Sequence, residues 1–406
     1  MLPSLIFDEN DPKSILLGQI FKIIDSEKTK NIFNRNGVKQ RKMMVICIKV
    51  FFATIYSDYQ LSDVINELNR NKKLRKFFNI DDDVPKADQV YEYLGRYNPI
   101  QYSKIVNSIL ISYHKPKRGS YNTFIADATP VACEINISKE YITDKHLKKL
   151  GLKWSYSTTK GHFIGFKVTV VLDKDNMVPV SILIHSGAPN DSRLFEEILK
   201  ELKRRRNIKE KDLILFDKGY YSLENYLIGI NKFKIVPIIF PRKSFDKQKF
   251  LAKSSYPLSS FNEIKNLNKE KKLINSLNTI LLNKLDNWKD LKPIRGLIED
   301  FFKAAKGAFN LGEFHSYTIE SMHKNIYLCI LLTSLVVQQG YKTKTLLQQL
   351  AEGNVSLKEN KKTKKKKSKK KDKKKDKPSP PEPIEQQLLE IIVKEKQSVL
   401  ENFSKI

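Results

Sequence analysis

The spacing of apolar residues changes at about residue 117, and that change limits what the chain can fold into more than any other feature. Before it, apolar residues recur at helical intervals: Leu16, Ile20, Ile23 and Ile24, then Met44, Cys47, Ile48, Phe51 and Phe52, then Leu61, Val64, Ile65 and Leu68. Asp81-Asp82-Asp83-Val84-Pro85 interrupts the pattern, and a short helix is expected from Ala87 to Leu94. After it, strand-like runs at 122–127, 163–172 and 177–184 follow one another, with the hairpin-turn residues Asp173-Lys174-Asp175-Asn176 between the second and third. A helix is expected from Asp191, placed to cap it, through Arg206, with Leu194, Phe195, Ile198, Leu199 and Leu202 on one face. A fourth strand at 213–217, a helix near 222–231 and a fifth strand at 235–240 complete the series. Three strands in a meander followed by alternating helix and strand imply an α/β fold with a mixed five-stranded sheet and flanking helices.

The domain expectations follow from this pattern. Residues 1–116 read as an all-helical unit for DNA binding or dimerisation, in which two short helices around a turn would grip DNA; a plain helical cap is the alternative. Residues 117–345 hold the sheet, with an insertion at about 242–290. Residues 346–383 read as a Lys-rich linker without enough apolar surface to fold, and 384–406 as a short C-terminal helix. The formal net charge is +29, of which the 13 lysines and two aspartates of 361–377 supply +11. The remainder points to a polyanionic partner, DNA or RNA, or to a protein that writes lysine wherever a polar residue will do. The lysine tract adds attraction to DNA or serves as a solvated spacer. Three scattered cysteines, Cys47, Cys133 and Cys329, form neither a zinc pattern nor a disulfide framework, which suits a reducing, cytoplasmic, nucleoid-associated setting. The N-terminus lacks the regions of a signal peptide. The apolar run Ile326 to Val337 is too short to span a bilayer and reads as a buried helix, so no membrane is expected.

Three acids stand out against this background. Asp127 and Asp217 each end a strand-like run, and Glu299 lies on a later helix. Carboxylates are the anionic oxygen ligands that hard divalent cations take, and two such ions can clamp the attacking and leaving oxygens of a phosphodiester. With Arg295 at 0°, Glu299 falls at about 40° and Lys306 at about 20° on the helical wheel, beside a stripe of Ile294, Leu297, Ile298, Phe301, Ala305 and Ala308. Pro293 suits the first turn of that helix. Two cations thus flank the carboxylate, positioned for phosphate oxygens. The plain alternative is a surface Arg–Glu pair worth roughly 0.3–0.5 kcal/mol.

These residues resemble the DDE transposases of bacterial and archaeal insertion sequences, specifically the group marked by Tyr-x2-Arg-x3-Glu-x6-Lys. Arg295, Glu299 and Lys306 match the spacing, and Lys292 stands where the group has Tyr. Asp127-Ala128-Thr129 is similar to the first-aspartate motif and Asp217-Lys218-Gly219-Tyr220 to the second; Gly165-Phe166-Lys167 and Asn190-Asp191 resemble further landmarks between them. The resemblance covers roughly residues 120–340. It implies an RNase H-like core with an insertion before the last catalytic helix. It also implies a metal-dependent recombinase in which Asp127, Asp217 and Glu299 bind two Mg²⁺ (Mn²⁺ as a substitute). One metal would activate water to release a 3′-OH at the element end, and that 3′-OH would attack target DNA. The partners would be double-stranded DNA, as terminal inverted repeats and target, and a second copy of the chain in a synaptic dimer. Arg295, Lys306, Lys292 and Lys218 would meet DNA, and Trp288 would stack on a flipped base or pack as a lid contact. A nuclease that cuts without strand transfer, and a DNA-binding derivative with a retired centre, are the competing readings.

Other candidates carry plainer alternatives. Asp173 and Asp175 suit a turn and Asp191 a helix cap rather than metal ligation. His162 at a strand start reads as structural, and Tyr220 as packed. The segment Lys139 to Lys160, with Trp154, is a DNA-facing loop or a hairpin excursion.

Overall fold

The computed structural model describes residues 11–57, 59–81, 83–114, 121–133, 143–157, 161–242, 245–254, 269–314 and 318–353. Most of the expected linker and all of the expected C-terminal helix therefore lie outside the described residues.

Seven helices come first: α1 (Pro12–Asp25), α2 (Glu27–Arg35), α3 (Arg41–Ser57), α4 (Leu61–Arg70), α5 (Lys72–Phe77), α6 (Ala87–Gly95) and α7 (Pro99–Ile111). Their starts are set by local chemistry. Asp11 accepts from the Ser14 amide, Ser26 from that of Thr29 and Asn71 from that of Leu74, each satisfying an amide with no intrahelical partner. Asn98 and Gln101 close a capping box around Pro99.

The sheet has seven strands rather than the five expected: β1 (Thr123–Cys133), β2 (Trp154–Ser157), β3 (Gly161–Asp173), β4 (Val178–Ser186), β5 (Leu213–Phe216), β6 (Val236–Ile239) and β7 (Glu313–Phe314). All five expected strands are present, and β2 and β7 are additions. The main path runs β2-β3-β1-β5-β6, with β4 on β3 and β7 on β1. β1 and β3 are long, so they outrun β5 and β4; β2 and β7 pair with the overhanging ends. The meander β1-β3-β4 is antiparallel, whereas β5 and β6 run parallel to β1, so the sheet is mixed.

Alternate residues of each strand enter two cores, as a pleated strand dictates. Ile125, Val168, Val170 and Leu172 face a core shared with α1–α7 and with two later helices, α13 (Trp288–Phe309) and α14 (Ile319–Gln338). Phe124, Ala126 and Val171 face a second core, made with α9 (Asp191–Arg204), α10 (Leu223–Leu227) and α12 (Lys269–Asp286). The remaining helices are α8 (Asp144–Lys149), α11 (Lys247–Ser254) and α15 (Lys344–Ala351). The N-terminal helices thus share one apolar core with the sheet.

Four boundaries differ from expectation. β1 continues six residues past Asp127, because its pairing with β3 persists to Ala132 after β5 has ended. The insertion is no appendage: Ile274, Leu277, Leu281 and Leu285 of α12 are buried in the second core. Pro293 lies inside α13 rather than in its first turn, since the helix already starts at Trp288. α15 occupies the start of the expected linker, with Leu347 and Leu350 buried. α14 contains the expected buried run, and among the described residues no single helix is long and apolar enough to cross a membrane.

Candidate active site

β1 and β5 bring two aspartates together by register alone. Their last paired residues are Ala126 and Phe216, so Asp127 and Asp217 each follow the final pair of adjacent parallel strands. Neighbouring strands lie about 4.8 Å apart. β5 ends there because the chain turns into a single 3₁₀ turn, Lys218–Tyr220. Asp127 fixes one carboxylate oxygen by accepting from the Ala128 amide at 2.8 Å, leaving the other free to face the site.

α13 delivers the third acid. Ile298, Phe301, Phe302, Ala305 and Phe309 are buried, seating the helix on the side of the sheet where Asp127 emerges. Arg295 and Glu299, one turn apart, then lie over the strand ends. The Arg295 guanidinium touches all three carboxylates: Nη1 to Glu299 Oε1 at 2.6 Å, Nη2 to Asp127 Oδ2 at 3.4 Å, and Nη2 to Asp217 Oδ1 at 3.5 Å. The expected Arg–Glu pair exists, but it is one side of a four-residue cluster.

The cluster is short of positive charge. Three carboxylates share one guanidinium. Burial pushes the Asp127 carboxyl up to about 7; Arg295 and the Ala128 amide oppose this without overcoming it, and Asp217 and Asp191 push it further up. The donor set is all hard oxygen, without thiolate or imidazole, which suits Mg²⁺ or Mn²⁺ over softer metals. Among the described residues, no group of three or more His, Cys, Asp or Glu side chains is closed around a point for a metal ion; Arg295 stands between these three.

Asp191 is the residue that sequence reasoning undervalued. Asn190, not Asp191, caps α9, by accepting from the Ser192 amide. Both residue types make good caps, and the one placed just outside the helix takes the role. Asp191 is thereby left to pair with Lys167 of β3 at 2.7 Å, and Lys167 also donates to the Pro189 carbonyl at 2.7 Å. The backbone of the turn after Asp217 rests against it: a β carbon on Gly219 would come within 2.9 Å of Asp191 Oδ2. Asn225 ties the same regions, donating to the carbonyls of Ser192 and Tyr220. Tyr220 is fully buried; burial first, then the charges of Asp191 and Asp127, hold its hydroxyl far above the usual tyrosine range.

The other expected contacts disperse around the cluster. Lys218 and Lys292 are exposed, the first beside Asp217 and the second just short of one turn before Arg295; Lys306 is half-buried further along α13. Trp288 is half-buried, its ring 5.8 Å from that of Phe240, and Arg295 lies 5.9 Å from the centre of that same ring. Asp173 and Asp175 belong to the turn, where Asp173 accepts from the amides of Asp175 and Asn176 and pairs with His114. His162 stacks edge-on against Tyr156 near the far end of the sheet. Trp154 and Tyr156 of the Lys139–Lys160 segment are exposed.

Residues 118–335 match the model of the family described as transposase DDE domain, which spans both aspartates and the glutamate. No curated protein matches the chain. Among solved structures, the chain is similar to a piggyBac transposase synaptic complex with hairpin DNA determined by cryo-EM. The identity is 11% over 86% of this chain and 72% of that one, with a TM-score of 0.34.

Proposed function

The chain belongs to the transposase DDE domain family, and from that premise we propose that it cuts insertion-sequence ends and joins them to target DNA. The supporting observation is the convergence of Asp127, Asp217 and Glu299 on one guanidinium, from two strands and a helix separated by 172 residues from first to last. On this reading the mixed sheet is an RNase H-like core.

Asp127, Asp217 and Glu299 would hold two Mg²⁺, which supply positive charge for the attacking and leaving oxygens of a phosphodiester. In the first step a water oxygen bonds to phosphorus and the bond from phosphorus to the 3′ oxygen breaks, leaving a 3′-OH and a 5′-phosphate. In the second, that 3′ oxygen bonds to a target phosphorus and the target's own 3′ oxygen leaves, so the number of phosphodiester bonds is conserved. The chain's residues position the DNA. Arg295 offers a planar fork to two phosphate oxygens, and Lys218, Lys292 and Lys306 give point contacts to the backbone. Phe240 and Trp288 form an aromatic wall beside Arg295 against which an unpaired base can rest. Two DNA ends call for two copies of the chain in the synaptic complex.

The test uses end-labelled terminal-repeat DNA with Mg²⁺ and a second duplex as target, comparing wild type with Glu299→Gln. Cutting and joining by wild type, and loss of both in the variant with DNA binding retained, support the reading. Cutting without joining would leave a nuclease; binding without cutting by wild type would leave a retired DNA-binding derivative; unchanged cutting by the variant would remove Glu299 from the centre.

A further inference from the structure

Resting on the reading of the three carboxylates as a cation site, we propose that Arg295 is its built-in counter-charge. In DNA-free protein the guanidinium stands in the cation's place, and it leaves when DNA phosphate arrives, so metal loading waits for DNA.

The geometry separates this arginine from a structural one. A guanidinium settled on its partner makes a bidentate fork, as Arg204 does with Glu201 through Nε at 2.7 Å and Nη2 at 2.8 Å, even where the arginine is largely exposed. Arg295 instead spreads over three acids. One contact is short, and the other two, at 3.4 and 3.5 Å, are beyond the usual hydrogen-bond distance of about 2.7–3.2 Å. Its Nε is buried without a partner, an unsatisfied donor that a better pose would pair. The Phe240 ring beneath it gives a weak, non-directional hold. One short bond and one ring contact hold the side chain, against three surrounding carboxylates.

A guanidinium and a divalent cation cannot share this space, because like charges at such separations repel strongly in a half-buried site. A phosphate group offers Arg295 what the cluster withholds: two oxygens spaced for its fork. Arg295 has Glu299 one turn after it and the exposed Lys292 just short of one turn before it. A phosphate drawn toward Lys292 therefore lies within the arginine's reach. Its departure removes the single positive charge among three acids, and the cation replaces it.

The experiment measures Mn²⁺ binding to the full chain by electron paramagnetic resonance, with and without a short mixed-sequence duplex. It compares wild type, Arg295→Gln and Arg295→Lys. Without DNA, Arg295→Gln is expected to bind Mn²⁺ at least about tenfold more tightly than wild type, while Arg295→Lys, which keeps the charge, stays near wild type. Adding the duplex is expected to tighten binding by wild type and leave Arg295→Gln nearly unchanged. Equal DNA-free affinities for wild type and Arg295→Gln would overturn the inference while leaving the cation site standing. No Mn²⁺ binding by any of the three proteins, with or without DNA, would overturn the site itself. Thermal melting guards against a folding defect: Arg295→Gln is expected to melt below wild type in EDTA and to recover in Mn²⁺ but not in matched NaCl, and failure to recover counts against the inference.

Discussion

Lys49 and Arg295, one in the N-terminal helices and one at the sheet, are enclosed cations held in opposite ways. Lys49, in the N-terminal helices, is fully buried; its Nζ meets both oxygens of Asp25, at 2.8 and 3.0 Å, and the Phe78 carbonyl, with the Phe21 ring 5.6 Å away. Burial lowers its pKa and Asp25 works against that. One cation with matched acceptors belongs to the fold. Arg295, at the sheet, retains 17% exposure and has three acids, one good bond and one unpaired donor. The lesson is that stoichiometry distinguishes a fastening from a placeholder: Lys49 is balanced by one acid, whereas Arg295 leaves its surroundings negative.

The sharpest way to break this contrast is to remove each cation in turn. Lys49→Ala should cost about 3–5 kcal/mol in urea unfolding, because it strands Asp25 and the Phe78 carbonyl, and divalent cations should not restore the loss. A Mg²⁺-dependent recovery there would erase the distinction. A titration sharpens it next. His323 of α14 is largely enclosed, edge-on to Phe166 at 5.3 Å, and burial lowers its pKa to about 4; the Glu320 charge pulls it up and the His185 charge pushes it down further. A base whose folded pKa lies below its unfolded value stabilises above the unfolded value. That contribution is lost as pH falls from 6.5 toward 4, a span worth about 2–3 kcal/mol. In His323→Phe, urea midpoints should fall less steeply across this window; an unchanged slope would show that the imidazole is solvated.

Arg295→Gln comes third. In EDTA it should cost about 1–2 kcal/mol by urea unfolding, less than Lys49→Ala, because the neighbouring acids are partly solvated and Asp127 can take a proton. A loss as large as that at Lys49 would make Arg295 structural. The smallest effect is expected at Arg204, whose fork to Glu201 is well formed but 64% exposed. Arg204→Ala should cost only a few tenths of a kcal/mol, and less in high salt. A larger figure would show that geometry outweighs solvent exposure as the measure of how firmly a cation is held.

Much of this was readable from the residues. Helical spacing marked the buried face of α9, a continuous apolar run marked α14 as buried, and the two strand-like runs ending in Asp127 and Asp217 marked the site, because adjacent parallel strands in register place such residues side by side. The extent of β1 was hidden by Pro130. A proline lacks a ladder donor and is tolerated at sheet edges; past Asp127, β1 has lost β5 as a neighbour, so the proline is accommodated. β2 and β7 were missed because four and two residues are too few to show a period. The role of Asp191 was obscured because Asn190 and Asp191 are both cap formers, and only the tertiary structure shows Lys167 of β3 pairing with the one left over. The reach of Arg295 to the two aspartates is a tertiary fact that no spacing along α13 contains.

The proline within α13 has a mechanical meaning. Lacking an amide hydrogen, Pro293 leaves the Lys289 carbonyl without its usual helical bond, so the rod is weakest between Trp288 and Arg295. A tug on the aromatic end can be absorbed by flexure at this joint while Glu299 keeps its seat on the sheet. Strain arriving from the α12 side of this helix is therefore spent before it reaches the three carboxylates.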